Sequence, residues 1–157
     1  MSTLQRRGLG AASGSAALLL AALAFQYLGG LAPCPLCITQ RWPHVVAILV
    51  GLALIYLPSR GFALLGAVAM LVGAGTGLYH AGIERGWWAG PDTCTAPAPG
   101  DVSASDLLDQ LMQTDVVLCD QVAWSFLGIS MAGWNAIGSL ALAALWLRAY
   151  ASSSASQ

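Results

Sequence analysis

Between Ala11 and Leu31 the chain runs without one formal charge. About 20 consecutive apolar residues span a bilayer core as a helix, so such a stretch favours lipid over water. Two further runs follow, Val45–Leu57 and Phe62 to about Gly82, and a last one from Met131 to about Leu147. The charge left over is too sparse to cover a soluble surface. Charged residues make up 8% of the 157 and hydrophobic residues 57%, with mean hydropathy +0.70, whereas a soluble domain carries roughly 25% charge. The expected fold is an all-α membrane protein, a bundle of four transmembrane helices in a single domain over residues 1–157. The approximate spans are 11–31, 42–57, 62–82 and 131–149, with outer segments 32–41 and 83–130.

The first run admits a rival reading as a signal peptide, with Arg6-Arg7 as its basic start and Ala22-Leu23-Ala24 as a cleavage-like site. The apolar character continues to Leu31, which suits a retained anchor better. The Val45–Leu57 run is short for a span. Extended back to Leu36 it covers roughly 30 Å at about 1.5 Å per residue, so this helix is expected to begin near Cys34 and Cys37. Pro43 then falls in its first turn or kinks it. In the third span Gly66, Gly73 and Gly77 fall near one face, where a neighbouring helix can approach closely.

Residues 84–130 form the long non-spanning segment and hold all seven acidic residues. Pro91, Pro97, Pro99 and Gly100 mark irregular chain. Ser103 and Asp106 read as a capping box ahead of a short amphipathic helix carrying Leu107, Leu108, Leu111 and Met112, on the membrane surface or packed under the loop.

With four spans, Arg6, Arg7, Arg60 and Arg148 share one side, and Arg41 and Arg85 the other. The positive-inside rule places the first set in the cytoplasm. Both termini are then cytoplasmic, and Cys34, Cys37, Cys94 and Cys119 face outward. For a bacterial inner membrane that side is the periplasm, where disulfides persist. The net charge of −1 and the lack of a basic patch argue against nucleic-acid binding.

The chemistry concentrates in Pro33-Cys34-Pro35-Leu36-Cys37, followed by Gln40-Arg41. Cysteines at this spacing can close a small redox ring, form a structural disulfide or supply two metal ligands. A zinc site is weakly supported, because Cys94 and Cys119 do not repeat the spacing. At a helix N-terminus Cys37 would feel unpaired N–H groups that lower a thiol pKa, with Arg41 one turn on adding positive charge. Cys94 and Cys119 lie in an acidic segment expected to be water-facing and mobile. A disulfide between them would close a 26-residue ring, as a staple or as a labile shuttle. Two pairs, one at the membrane edge and one on a loop, suggest a thiol–disulfide relay to a lipid-dissolved acceptor. Arg41 and His80 are the polar candidates to bind such an acceptor; headgroup contact for Arg41 and an interfacial position for His80 are the competing readings. His44 is read as interfacial.

These motifs, with Cys119-Asp120-Gln121-Val122-Ala123-Trp124-Ser125-Phe126-Leu127-Gly128, resemble the disulfide-bond-formation protein B (DsbB) family over roughly Leu18 to Trp146. The resemblance implies an inner-membrane thiol:quinone oxidoreductase that reoxidises a periplasmic thioredoxin-fold partner similar to DsbA. It implies catalytic roles for Cys34, Cys37, Cys94 and Cys119, with Cys94 forming the mixed disulfide with the partner and Cys37 nearer the quinone. It also implies cofactor contacts from Arg41 and, less diagnostically, His80. The cofactor would be ubiquinone or menaquinone, and no metal is expected. A vitamin K epoxide reductase-like enzyme would carry its Cys-x-x-Cys in a late span, against the order found here. A specialised paralogue serving a dedicated partner and a non-catalytic scaffold with structural disulfides are the other readings.

Overall fold

A computed structural model describes residues 1–91, 94 and 117–152. The amphipathic helix expected after Ser103 lies outside these residues. The described chain is mostly helical: α1 (Thr3–Tyr27), α2 (Pro35–Thr39), α3 (Arg41–Tyr56), α4 (Arg60–Glu84) and α5 (Met131–Ser152). A two-stranded hairpin, β1 (Ser125–Phe126) with β2 (Ile129–Ser130), leads into α5.

Three of the helices, α1, α2 and α4, begin at a side-chain cap, Ser59 serving α4. Ser2 and Gln5 form a reciprocal capping box at α1. Cys34 caps α2, and Pro35 occupies its first turn, where a missing N–H costs nothing. Gln40 joins α2 to α3 in helical conformation, so Pro35–Tyr56 behaves as one span. Pro43 falls in the first turn of α3.

Among the described residues, three helices are long and apolar enough to cross a membrane: Thr3–Tyr27, Pro35–Tyr56 and Arg60–Glu84. The protein is accordingly a helical membrane protein. The long helix α5 packs beside them. Successive long helices touch around a ring in the order α1, α3, α4, α5 and back to α1, with α4 and α5 most intimately joined.

The glycine face of α4 makes this intimacy possible. A Cβ at Gly66 would lie 2.5 Å from the Trp146 indole, and one at Gly77 would lie 3.0 Å from the Ala136 nitrogen and 3.1 Å from the Ala132 carbonyl. Gly73 faces Pro43 and Ser139 at the same face. Side chains of ordinary size would hold the helices apart and forfeit dispersion contacts along their length. At one end of the ring Leu4, Leu54, Met70 and Trp146 fill a buried apolar core. At the other end, where α1 and α4 finish and α2 and α5 begin, the buried cluster is made of cysteines.

Candidate functional site

Cys34 stands where a serine or aspartate oxygen commonly caps a helix. Its Sγ accepts the Cys37 backbone N–H at 3.2 Å and lies 2.8 Å from the Cys37 Sγ. Both of these cysteines are free thiols. His80, from the C-terminal end of α4, brings Nε2 to 3.7 Å from the same sulfur. The hydrogen bond with the Cys37 thiol lowers the Cys34 pKa most; burial opposes it, and His80 and the Cys37 N–H add to the lowering. The thiol pushed toward thiolate is thus Cys34. This differs from the sequence expectation, which favoured Cys37, because the capping N–H of Cys37 points at the sulfur of Cys34.

Cys94 and Cys119 are joined by a disulfide. The Cys119 N–H donates to the Cys94 carbonyl at 2.6 Å. The sequence placed this pair in water; the structure buries both, with 1% of Cys94 and 0% of Cys119 exposed. Both pack into one cluster with Cys34. The sulfurs of Cys34, Cys94 and Cys119 all lie within 4.8 Å of one another, in a cluster flanked by Leu36, Cys37 and Val117.

A polar layer lies directly beneath. Gln40 Nε2 is 2.7 Å from His80 Nδ1, Asn135 Nδ2 donates to Gln40 Oε1 at 2.8 Å, and His44 Nε2 is 2.9 Å from Asn135 Oδ1. Glu84, the last residue of α4, sets a carboxylate oxygen 3.9 Å from His80 Nε2, with its side chain 6% exposed. Sequence reasoning counted Glu84 with the loop acids and missed Gln40, Asn135 and this placement of His44. The signal was there: amides and a histidine inside apolar spans need partners.

Arg41 turns toward α1, where its guanidinium donates to Gln26 Oε1 at 2.7 Å. It lines a cavity of about 100 Å³ together with Leu18, Ala22, Phe25, Cys37 and His44. Cys34 and His80 border the same cavity, so all the sequence-derived site residues except the loop pair meet there, and the loop pair touches Cys34. An apolar ring carrying acceptor oxygens fits such a space. Aliphatic and aromatic groups wall it, and the Arg41 guanidinium supplies donors for an oxygen.

A helical membrane protein that sets a reduced Cys-x-x-Cys against a second, disulfide-bonded pair belongs to the membrane thiol–disulfide oxidoreductases. The match is narrower than that. The family model described as Disulfide bond formation protein DsbB covers residues 5–149, and the chain belongs to this family. A Disulfide bond formation protein B from Methylococcus capsulatus is 38% identical over 143 residues, covering 84% of this chain and 85% of the relative. The proteins of that name from Marinobacter nauticus and Albidiferax ferrireducens are 34% and 36% identical. Each covers 78% of this chain, with 77% and 76% of the relative. No solved structure matches the chain.

Proposed function

We propose that this protein is an inner-membrane thiol:quinone oxidoreductase that keeps a periplasmic thioredoxin-fold dithiol oxidase, similar to DsbA, in its oxidised form. The observation that carries the reading is the approach of Cys34 to the Cys94–Cys119 disulfide beside an apolar cavity lined by Cys37 and Arg41. Thiol–disulfide exchange needs sulfurs in reach and a leaving group stable as thiolate, and Cys34, the last sulfur to leave in the relay, is the one pushed toward thiolate.

A thiolate of the reduced partner attacks Cys94 Sγ; the Cys94–Cys119 bond breaks and Cys119 leaves as thiolate. The partner's second thiolate attacks its own mixed-disulfide sulfur, forms the partner disulfide and releases Cys94. Cys119 then attacks Cys34 Sγ of a Cys34–Cys37 disulfide, and Cys37 leaves. Cys94 attacks Cys119 Sγ, restores the loop disulfide and frees Cys34. The two electrons now rest on Cys34 and Cys37, with the loop pair oxidised, which is the pattern of free and paired cysteines found here. A quinone, ubiquinone or menaquinone, supplies the sink for two electrons and two protons. Arg41 would hold a quinone oxygen, and His80 would serve the Cys34 side of the same cavity.

The arrangement of arginines supports the orientation. Arg6, Arg7, Arg60 and Arg148 lie at the helix ends remote from the cysteines, as a cytoplasmic face requires. In this reading α5 is the fourth span and both termini are cytoplasmic. The purified protein, given a quinone and a reduced thioredoxin-fold dithiol protein, should oxidise that protein catalytically. Cys37→Ser should reduce the rate to background, and a Cys37→Ser variant of unchanged rate would refute the reading. The scaffold alternative predicts no dithiol oxidation by the wild type at all.

A further inference from the structure

His80 touches different chemistry at its two nitrogens. Nε2 faces the Cys34 sulfur at 3.7 Å and the Glu84 carboxylate at 3.9 Å. A thiolate and a carboxylate are both acceptors, so Nε2 is the nitrogen that carries a proton. Nδ1 faces the Gln40 amide at 2.7 Å. Whether that amide donates or accepts decides whether Nδ1 also holds a proton.

The answer is set two residues further along. Gln40 is bonded to Asn135, and Asn135 to His44. The two amides can be read in either sense, but only together. In one sense His44 Nε2–H donates to Asn135, Asn135 donates to Gln40, and Gln40 donates to an unprotonated His80 Nδ1. In the other sense every bond reverses, and His44 must move its proton to Nδ1. That atom is buried and finds no hydrogen-bond partner among the described residues. A buried donor without an acceptor is a rarer and costlier defect than an acceptor short of a donor. His44 therefore polarises the series, from α3 through α5 to the α2–α3 junction and on to α4.

The geometry points to Gln40, oriented by Asn135 and His44, as a positioning residue that leaves His80 with its proton on Nε2, aimed at Cys34, and none on Nδ1. His80 then acts as a hydrogen-bond donor to the Cys34 thiolate when Cys119 or Cys94 exchanges with it, and not as a second proton store. The inference rests on the functional reading above for the identity of Cys34 as the reacting sulfur.

The chain has two histidines, so imidazole nitrogen spectra are simple to assign. The test is 15N NMR of the reduced-Cys34/Cys37 full-length protein in detergent, with 15N-labelled histidine and a His80→Asn variant for assignment. Both His80 and His44 are expected to show protonated Nε2 and unprotonated Nδ1. Gln40→Leu is expected to let a second proton add at His80 Nδ1 while Nε2 keeps its own, and Gln40→Glu, whose carboxylate only accepts, to draw a proton onto His80 Nδ1 more strongly. A wild-type His80 or His44 protonated at Nδ1 would overturn the inference, as would a His80 Nδ1 indifferent to both Gln40 variants. The spectra need neither quinone nor partner. Failure of the functional reading would appear instead as absent dithiol oxidation by a wild type with normal histidine spectra.

Discussion

The Cys34 sulfur and the His80 Nε2 nitrogen face each other at 3.7 Å, although 46 positions separate them in the chain. Packing of α4 against the α2–α3 unit makes this meeting, and it gives the Cys-x-x-Cys pair a polar neighbour that its own segment lacks. Because Cys34 also touches the loop disulfide, the same sulfur faces the loop on one side and the cavity on the other.

Arresting the exchange should reveal that contact. In Cys37→Ser with the loop disulfide intact, the Cys34 thiolate can attack Cys119 Sγ, breaking the Cys94–Cys119 bond and freeing Cys94 as thiolate. Alkylating the freed Cys94 removes the group that would reverse the step, and is expected to accumulate a disulfide between Cys34 and Cys119. Peptide mapping by mass spectrometry without reductant checks the connectivity. Linkage of Cys34 to neither loop cysteine would contradict the relay.

The Cys34 thiol should titrate well below its ordinary 9.0. A group whose folded pKa is depressed stabilises the fold fully above its unfolded value and loses that contribution as pH falls toward the folded one. The protein with Cys34 and Cys37 reduced is therefore expected to be most stabilised by Cys34 above pH 9.0 and progressively less below it. Since the Cys37 thiol is the largest cause, Cys37→Ala should raise the Cys34 pKa more than His80→Ala does. Thiolate absorbance against pH measures both.

Arg41 should matter to the membrane acceptor and not to the thiols. Arg41→Ala removes a charged donor worth about 1.5–3 kcal/mol, so the KM for quinone should rise by an order of magnitude or more. Single-turnover exchange between a reduced partner and the loop disulfide should keep its rate. Arg41→Lys should recover only part, since an ammonium cannot reproduce the guanidinium fork that also holds Gln26.

Gly77→Ala should weaken the α4–α5 junction. The added Cβ meets backbone atoms of Ala132 and Ala136 at 3.0–3.1 Å, which cannot yield as a flexible side chain would. Overpacking of this kind costs about 1–3 kcal/mol. A lower midpoint of thermal unfolding in detergent checks it, and Gly75→Ala, with nothing near its Cβ, is the matched control.

Much of the arrangement is legible in the sequence. The helix start at Cys34-Pro35 and the Gly66, Gly73, Gly77 face are local patterns with local causes, and each appears in the fold, whereas the charge-free run lies in a helix that starts earlier than expected, at Thr3, and stops at Tyr27 rather than Leu31. What was not legible depended on distant partners. Nothing near Cys94 or Cys119 announces that Cys34 will cover them, so an acidic, proline-rich segment read as water-facing. Likewise the cap geometry, and not the spacing of Cys34 and Cys37, decides which sulfur receives the N–H. Gln40, His44 and Asn135 each looked isolated, because their partners come from other helices.

The central claim is that electrons taken from a water-soluble dithiol leave through Cys34 and Cys37 to a quinone. Quinone absorbance, followed without oxygen while the purified protein oxidises a reduced thioredoxin-fold partner, tests it most directly. The account predicts one quinone reduced per partner disulfide formed, with both processes lost in Cys34→Ser. Partner oxidation with no loss of quinone, or quinone loss that persists in Cys34→Ser, would contradict it.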